Sequence, residues 1–235
     1  MRKLIDVARQ SPIPGSKPYH QTFAYETEDE TATVATALRE LNASPELLDA
    51  DGNVADPINW ECSCLQKKCG ACAMVIEGVP RAACDTKLAD FKGSTVHLEP
   101  LRKFPVVTDL VVDRSAIFDR LRELEVWLEE DVELPRRRNA IAYEASRCLQ
   151  CGCCLEVCPN FSTDGPFAGM ATMVPLARLL AEASGDEKRA LAQVHRNAVV
   201  AGCGKSLACR AICPAGIDIA NLMSRSNAAA LWHRW

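Results

Sequence analysis

The residues best suited to chemistry in this chain are a run of cysteines that ends in Cys-Pro. The run reads Cys148-Leu-Gln-Cys151-Gly-Cys-Cys154-Leu-Glu-Val-Cys158-Pro159. Thiolates at this spacing bind iron–sulfur clusters, with the first three on one cluster and the fourth on a second cluster. This one run therefore predicts two clusters.

A second run repeats the first with one cysteine missing. It reads Cys203-Gly-Lys-Ser206-Leu-Ala-Cys209-Arg-Ala-Ile-Cys213-Pro214, so Ser206 stands where the first run has Cys151. If each run sends its last thiolate to the other cluster, one site is complete. The predicted ligands of this 4Fe-4S cluster are Cys148, Cys151, Cys154 and Cys213. The other site keeps three thiolates, which are Cys158, Cys203 and Cys209.

Three thiolates suit a 3Fe-4S cluster, which is a cube with one iron corner missing. The hydroxyl of Ser206 could in principle bind a fourth iron, but an alkoxide is hard to form near neutral pH whereas a thiolate is not. The vacant corner is therefore favoured. Structural zinc is the alternative for the whole constellation, but a zinc site closes with four ligands and does not need seven cysteines in two interlocking runs.

A different cysteine spacing occurs in the first half of the chain. Cys64-Leu-Gln-Lys-Lys-Cys69-Gly70-Ala-Cys72 is followed by Cys84. The spacing C-x4-C-x2-C with a remote fourth cysteine is that of plant-type 2Fe-2S proteins, and Gly70 lets the backbone curl around a cluster. The predicted ligands of this 2Fe-2S cluster are Cys64, Cys69, Cys72 and Cys84.

The remaining cysteines and the histidines are predicted to bind no metal. If Cys62 were the first ligand, the spacing to Cys69 would be too long, so Cys62 is interpreted as a packed or half-exposed thiol. Cys153 lies between ligands of the first run and is interpreted as a small apolar side chain. His20, His97, His195 and His233 are each expected to be isolated surface or core residues. No nucleophile motif, phosphate loop or flavin fingerprint is present, so no catalytic residue is predicted.

The elements that must position the first cluster are predicted from short alternating runs and turn residues. Residues 3–8 and 21–27 indicate an antiparallel strand pair, and Thr31 or Thr33 can cap a helix that runs to about Leu41. A hairpin around Glu77-Gly78 and a strand at residues 95–99 complete a small mixed sheet with one helix. Residues 1–106 are therefore predicted to form a β-grasp ferredoxin domain.

After residues 106–112 the periodicity becomes helical. Asp113 is a plausible N-cap of a helix that carries Ile117, Phe118, Leu121, Leu124 and Leu128 on one face. Further helices are predicted at residues 139–147, 170–183, 186–199 and 217–230. The fold class is α+β, with an all-α domain for the 4Fe-4S and 3Fe-4S clusters at residues 107–235.

Length and charge agree with two small domains and exclude several functions. The chain has 235 residues, 13 cysteines and a formal net charge of −4, so no nucleic acid is expected as a partner. The run Arg136-Arg137-Arg138 is interpreted as a solvated linker or a docking contact. No apolar segment follows Met1-Arg2-Lys3 and no apolar window of about 18–20 residues occurs. Thiolate ligands in a reducing compartment and no membrane span are therefore expected.

A plant-type cluster domain followed by a seven-iron helical domain resembles the iron–sulfur subunit of succinate dehydrogenase and fumarate reductase. The resemblance runs from about Lys17 to about Leu222 and includes the segment from Leu98 to Asp113, which is similar to the family's interdomain segment. Similar two-domain modules also resemble parts of thiol-linked fumarate reductases and glycolate oxidases. Those proteins usually add cysteine-rich modules downstream, which this sequence lacks.

The resemblance implies a relay on the cytoplasmic face of a bacterial plasma membrane. A separate flavoprotein subunit oxidises succinate or reduces fumarate at FAD. The iron–sulfur subunit passes single electrons through 2Fe-2S, 4Fe-4S and 3Fe-4S in that order. A quinone in a membrane-anchor subunit lies at the far end of this relay.

Two departures from the family pattern bear on the quinone and on the first cluster. Ubiquinone-linked members carry a His after the first cysteine of the second run and a Trp pair after the first Cys-Pro, where this chain has Gly204 and Asn160-Phe161-Ser162. No quinone-binding residue is therefore carried over, and the pattern is more similar to menaquinone-linked members with a dihaem cytochrome b anchor. The family's frequent Arg-Glu after the first 2Fe-2S ligand is replaced, and Lys67-Lys68 follows. This added positive charge is expected to raise that cluster's potential.

Overall fold

The computed structural model describes residues 1–13, 15–128 and 136–232. The chain divides into two units, Met1–Asp113 and Arg114–Trp235, which are described one at a time. The boundary that the sequence analysis sets between residues 106 and 107 stays a prediction. None of the described helices is long and apolar enough to cross a membrane.

A five-stranded mixed sheet forms the first unit. Its strands are β1 (Arg2–Arg9), β2 (Tyr19–Glu26), β3 (Ala73–Ile76), β4 (Val79–Ala82) and β5 (Thr95–Glu99). They lie in the order β2-β1-β5-β3-β4, with β1 parallel to β5 and the other neighbours antiparallel. The strand pair predicted in the first 27 residues, the hairpin and the last strand are all present.

One helix, α1 (Val34–Ala43), packs against this sheet. Thr33 is its N-cap, and the Thr33 hydroxyl accepts a hydrogen bond from the backbone N–H of Thr36 while the Thr36 hydroxyl accepts one from that of Thr33. This reciprocal capping satisfies two donors that a helix start leaves free. The face carrying Val34, Leu38 and Leu41 is buried with Phe23 of β2, as the periodicity predicts.

The turns after β3 and β4 set the position of a predicted ligand. Glu77 and Gly78 both have positive φ, +51° and +73°, which is the two-residue turn that matches the twist of a hairpin. The chain then leaves β4 in a 3₁₀ turn, Ala83–Asp85. Cys84 is the central residue of that turn, so it lies at the end of the returning strand as predicted.

A short hairpin, β6 (Val106–Thr108) with β7 (Val111–Val112), closes the first unit. Asp109 at its turn has φ of +43°, a conformation that Asn and Asp tolerate better than other non-glycine residues. The strand propensity of this valine-rich segment is therefore used within the first unit, before the helices begin.

The described elements of the second unit are helices of unequal length around a central one. They are α2 (Ser115–Glu123), α3 (Arg136–Ser146), α4 (Cys153–Glu156), α5 (Met170–Glu182), α6 (Gly185–His195), α7 (Ala208–Ile212) and α8 (Ile219–Trp232). A π-helical turn, Arg196–Val200, continues α6. Met173, Leu176, Ala177 and Leu180 of α5 are fully buried and form the centre of this core with residues of α3, α6 and α8.

The first predicted helix of the second unit is shorter than expected. Its N-cap is Arg114 and not Asp113, and it ends at Glu123, so Leu124 and Leu128 lie beyond it. Glu125 adopts φ of +50°, and the N–H of Val126 donates to the carbonyl of Leu121. This is the Schellman arrangement that usually takes glycine. Because no glycine marks the position, the sequence pattern did not indicate the stop.

Three further corrections concern the second unit. Of the face predicted for α2, Ile117 is buried but Phe118 is 53% exposed. The segment that begins with Arg136 is helical and belongs to α3, so the prediction of a linker there was wrong. The short helices α4 and α7 were not predicted. They follow the tight turns of the two cysteine runs, where each is too short for a periodic pattern.

Candidate metal centres

The first candidate centre is formed by the loop before β3 and the turn after β4. Cys72 immediately precedes β3 and Cys84 follows β4, and Ala73 pairs with Ala82 across the hairpin. The N–H of Ala83 donates to the carbonyl of Cys72 at 3.0 Å. This pairing brings two cysteines that are 12 positions apart to the same end of the hairpin.

Backbone amides in this loop point at the sulfurs. The N–H groups of Gln66 and Lys68 donate to Cys64 Sγ at 3.3 and 3.2 Å, and the N–H of Lys67 donates to Cys84 Sγ at 3.3 Å. Leu65 and Lys67 have positive φ, +52° and +58°, which turns successive N–H groups to one side as in an anion-binding nest. The loop is therefore shaped to hold negatively charged sulfur.

The thiols of this loop have opposite pKa shifts. The amides of Gln66 and Lys68 lower the pKa of Cys64 to about 7. Burial, with a smaller contribution from the charges of Cys84 and Cys69, raises the pKa of Cys72 to about 12. These effects place the thiol of Cys69 near Cys64 and Cys72, and the thiol of Cys84 near Cys72. A buried thiol of raised pKa becomes a thiolate when a positively charged metal replaces its proton.

The lysines of this loop contribute less positive charge than the sequence alone indicates. Lys67 Nζ lies 2.5 Å from Asp85 Oδ2, and both side chains are half exposed. An ion pair of this kind cancels much of the lysine's charge in its surroundings. Lys68 is also solvent-exposed, where salt screens its charge further.

The second candidate centre is a cavity in the helical unit. Four cysteines line it, three from the first run and one from the end of the second run: Cys148, Cys151, Cys154 and Cys213. These are the four side chains predicted for the 4Fe-4S cluster. Apolar side chains of Met170, Val174, Ile217 and Ile219 complete its wall.

The charges around this cavity are arranged for thiolates in a dry environment. Burial raises the pKa of Cys148 to about 11 and that of Cys154 well above its ordinary value. A hydrogen bond from Cys153 lowers the pKa of Cys151 to about 7, and the charge of Arg114 acts in the same direction. Such thiolates are stable in an apolar pocket only beside a positive charge such as iron. The residues present therefore fit a cluster bound by four thiolates.

The third candidate centre contains Cys158, Cys203 and Cys209. Burial raises the pKa of Cys209, and the neighbouring thiols of Cys158 and Cys203 raise it further. Cys203 Sγ donates to Met223 Sδ at 3.7 Å, so α8 covers this centre. Ser206 is exposed, whereas Cys151, its counterpart in the first run, is buried.

The two cysteine runs have the same backbone conformation. Gln150 and Gly152 flank Cys151 with φ of +51° and +86°, and Lys205 and Leu207 flank Ser206 with φ of +57° and +58°. A short helix follows each turn, α4 in the first run and α7 in the second. The conformation is thus repeated even where the cysteine is replaced by Ser206.

Two of the histidines, His20 and His97, are surface residues, and they share a carboxylate that the sequence did not indicate. Asp6 Oδ2 lies 2.8 Å from His20 Nδ1 and 2.9 Å from His97 Nδ1. Strand register brings them together, because Asp6 lies opposite His97 on β5 and beside His20 on β2. These hydrogen bonds hold the pKa of Asp6 below its ordinary value, although burial opposes the shift.

The other residues set aside by the sequence analysis lie as follows. His195 is fully buried and its Nε2 lies 2.9 Å from Asn227 Oδ1, while His233 lies outside the described residues. Cys62 is exposed and Cys153 is fully buried. Among the described residues, no group of three or more His, Cys, Asp or Glu side chains could hold a single metal ion. Cluster ligands instead bind several irons and need not meet at one point.

Two family models match the chain, one in each half. The 2Fe-2S iron–sulfur cluster binding domain matches residues 4–119, and the 4Fe-4S dicluster domain matches residues 144–217. The first match contains all four cysteines of the loop at the hairpin end. The second contains both Cys-Pro runs.

Relatives match over most of the chain. The succinate dehydrogenase iron–sulfur subunit of Bacillus subtilis is 35% identical over 222 residues, which are 90% of this chain and 86% of that protein. The fumarate reductase iron–sulfur subunit of Mycobacterium tuberculosis is 31% identical over 191 residues, 75% of each chain. A chain of the Mycobacterium smegmatis Sdh1 complex in the apo form has the same fold, with a TM-score of 0.74, 21% identity and coverage of 98% and 97%.

Proposed function

Since the chain belongs to the family of succinate dehydrogenase and fumarate reductase iron–sulfur subunits, we propose that it relays single electrons between the FAD of a flavoprotein subunit and a quinone in a membrane-anchor subunit. The chain is an electron-transfer subunit with a 2Fe-2S domain and a 4Fe-4S dicluster domain. The proposed order is 2Fe-2S, 4Fe-4S and 3Fe-4S. The observation that carries the proposal is the cavity that four cysteines from two separate runs line together.

Each cluster is assigned its own set of cysteines. The 2Fe-2S ligands are Cys64, Cys69, Cys72 and Cys84, in a β-grasp domain at residues 1–106. The 4Fe-4S ligands are Cys148, Cys151, Cys154 and Cys213, and the 3Fe-4S ligands are Cys158, Cys203 and Cys209, in an all-α domain at residues 107–235. The backbone amides on Cys64 and Cys84 support the first set. The nearness of Cys158 and Cys203 to Cys209, whose pKa they raise, supports the third.

The chain's own residues would hold the clusters and control their surroundings. The clusters, when bound, supply one-electron chemistry. Backbone N–H groups at the 2Fe-2S loop stabilise sulfur charge, and the apolar wall of the helical cavity keeps water from the 4Fe-4S ligands. No residue of this chain is assigned a role in breaking or forming substrate bonds. The succinate or fumarate chemistry is proposed for the flavoprotein partner.

The quinone is proposed to be menaquinone, and the anchor a cytochrome b that carries haem b on a bacterial plasma membrane. The surroundings of Gly204 support a departure from the ubiquinone-linked pattern. A Cβ at position 204 would lie 3.2 Å from Asn160 Oδ1, and Asn160 Nδ2 donates to the carbonyl of Gly202 at 2.9 Å. The Asn160 side chain therefore occupies space that a histidine at position 204 would need. The chain is proposed to bind peripherally, on the cytoplasmic face.

The experiment that tests the relay is EPR with iron and sulfide analysis of the anaerobically purified complex, oxidised and then reduced with succinate and with dithionite. We expect about nine irons in this chain, from one cluster of each type, and a 3Fe-4S signal in the oxidised state. About ten irons without that signal would mean that the third centre holds a complete cube. Loss of any one cluster type from the spectra would refute the three-cluster relay.

Ser206 offers a second test of the vacant corner. Ser206→Cys restores the fourth thiolate of the second run, so the third centre should take up one more iron and lose its oxidised 3Fe-4S signal. Ser206→Ala is the matched control, because it removes the hydroxyl without adding a ligand. An iron content that falls in Ser206→Ala would show that the hydroxyl binds iron, contrary to the proposal.

A further inference from the structure

The side-chain amide of Gln150 connects a proposed cluster ligand to a neighbouring helix. Its Nε2 donates to Cys148 Sγ at 3.3 Å and to the carbonyl oxygen of Ala171 in α5 at 3.0 Å. An amide nitrogen carries two protons, so each acceptor takes one. Two acceptors on the same side also determine which end of the amide faces them, since the oxygen could donate to neither.

A proline creates the need for one of these bonds. In an α-helix the carbonyl of residue 171 accepts from the N–H of residue 175, but α5 has Pro175 there, which has no N–H. The carbonyl of Ala171 is therefore left without its helical donor, and Gln150 supplies one. The amide oxygen of Gln150, Oε1, is buried without a hydrogen-bond partner among the described residues. This is an energetic cost that an apolar side chain would avoid.

The residues that correspond to Gln150 at the two other candidate centres behave differently. Gln66 stands two residues after Cys64, as Gln150 stands two residues after Cys148, but there the backbone N–H of Gln66 is the donor to sulfur. In the second cysteine run the counterpart of Gln150 is Lys205, which is exposed. Among the hydrogen bonds of the described residues, the half-buried amide of Gln150 is thus a side-chain donor to sulfur at a position where the other two runs have a backbone donor or an exposed lysine.

Resting on the proposed ligation of the 4Fe-4S cluster by Cys148, we propose that Gln150 is a positioning residue that raises the reduction potential of that cluster and fixes its loop on α5. Reduction adds negative charge to the cluster and its thiolates, and an N–H donor stabilises that charge. The reduced state therefore gains more from the bond than the oxidised state does. Removing the donor should make the cluster harder to reduce.

The test is an EPR-monitored redox titration of the purified complex carrying Gln150→Met, which keeps the side-chain length and removes both donors. At the wild-type midpoint potential, the ratio of reduced to oxidised 4Fe-4S cluster should fall about threefold. At 59 mV per decade for one electron, this corresponds to a midpoint potential about 28 mV lower. Gln150→Glu, which puts a carboxylate in the same place, should lower the ratio further. The 2Fe-2S potential should be unchanged in both variants.

Gln66→Met is the matched control, because its donor is a backbone N–H that the substitution retains. It should leave the potential of the 4Fe-4S cluster where it is in the wild type. A 4Fe-4S shift in Gln66→Met equal to that in Gln150→Met would show that the effect does not come from the Gln150 amide.

A double variant separates the structural role of Gln150 from its effect on the potential. Pro175→Ala returns an N–H to residue 175, so in Gln150→Met/Pro175→Ala the carbonyl of Ala171 regains a helical donor. Gln150→Met should therefore lower the unfolding midpoint less in the Pro175→Ala background than it does in the wild type. Its 4Fe-4S potential should stay low. A potential restored by Pro175→Ala would overturn the proposal, because the shift would then follow helix packing.

A Cys148→Ala variant distinguishes an error in the role of Gln150 from an error in the proposed ligation by Cys148. A complex that keeps its 4Fe-4S cluster in Cys148→Ala would overturn the proposed ligation. Loss of the cluster in Cys148→Ala, together with an unchanged potential in Gln150→Met and Gln150→Glu, would leave the ligation standing and overturn only the role of Gln150.

Discussion

The buried ion pair between Arg9 and Asp109 predicts a large loss of stability when one charge is removed. Arg9 Nε lies 3.1 Å from Asp109 Oδ1, and both side chains are only 4% exposed. The guanidinium also donates to the carbonyls of Asp56 and Pro57. The pair therefore joins β1 to the β6–β7 turn and to the segment that leads into the 2Fe-2S loop.

The carboxylate of Asp109 is fully used by its neighbours. Oδ1 also accepts the N–H of Gln10 at 3.0 Å, and Oδ2 accepts the backbone and side-chain N–H groups of Asn59 at 2.9 and 3.0 Å. Removing one member of a buried pair costs about 3–5 kcal/mol, because the other charge is left uncompensated. Asp109→Asn keeps the shape of the side chain and suits a residue of positive φ. Its amide nitrogen, however, donates where an oxygen of Asp109 accepted, so we expect a loss of at least the lower end of that range, about 3 kcal/mol.

At about 2–4 °C for each kcal/mol in a chain of this size, Asp109→Asn should lower the midpoint of thermal unfolding by about 6–12 °C. The assay follows far-UV circular dichroism and bleaching of the 2Fe-2S absorption together, under anaerobic conditions and at one scan rate. Glu26→Gln is the matched control. Its pair with Arg2 also includes an arginine of β1, but the two side chains are 71% and 69% exposed, so the substitution should cost less than about 1 kcal/mol.

The reasoning also predicts how the two charges are coupled. Arg9→Met/Asp109→Asn removes both charges of this pair, and the methionine can pack on the ring of Phe23, over which the Arg9 guanidinium lies. The double variant should lose less stability than the sum of the two single variants. Two results would refute the claim that these buried charges stabilise each other. One is an Asp109→Asn unfolding midpoint no lower than that of Glu26→Gln. The other is a double variant whose loss of stability equals the sum of the losses in the single variants.

Three further predictions concern other parts of the chain. Cys84→Ser should weaken or remove the 2Fe-2S EPR signal alone, and simultaneous loss of the other two signals would argue against separate cluster domains. Gly169→Ala should lower the free energy of unfolding in urea by about 2–4 kcal/mol, because at φ of +75° its Cβ would lie 2.3 Å from Leu155 Cδ2. Gly185→Ala is the control: it has φ of +55° and open space around it, so it should cost about 1 kcal/mol. Burial lowers the pKa of His195 below its ordinary 6.5. As the pH decreases below about 6.5, the unfolded chain therefore binds a proton at His195 before the folded chain does. The free energy of unfolding should then decrease by up to about 1.4 kcal/mol for each pH unit. His195→Gln should flatten that part of a profile of unfolding midpoint against pH, and parallel profiles would contradict the assignment.

Local patterns in the sequence predicted strands β1 to β5 and helix α1 of the first unit, but not the β6–β7 hairpin. Thr33 was one of two residues expected to cap this helix, and the face of α1 follows from residues spaced three and four apart. Glu77-Gly78 predicted the hairpin, because few residue pairs tolerate two positive φ angles. Each of these features depends on residues within one or two turns of each other, so a single sequence is sufficient to recognise them.

The same patterns failed where the local signal was absent or ambiguous. The end of α2 uses Glu125 in a conformation that usually requires glycine, so nothing in the sequence marked it. Phe118 fits the helical period but is exposed in the second unit, since periodicity gives a face and not what covers it. The short helices α4 and α7 have too few residues for any period.

The sequence by itself determined which residues could bind the clusters, because thiolate spacing within a run is a local property. The tertiary structure alone decided which distant groups meet. It brings Asp6 to two histidines, and Arg9 to Asp109, 100 residues away. It also gives Gln150 a second acceptor, since Pro175 frees a carbonyl that only helix packing brings within reach. Strand register and helix packing depend on the whole core, and no spacing within one segment encodes them.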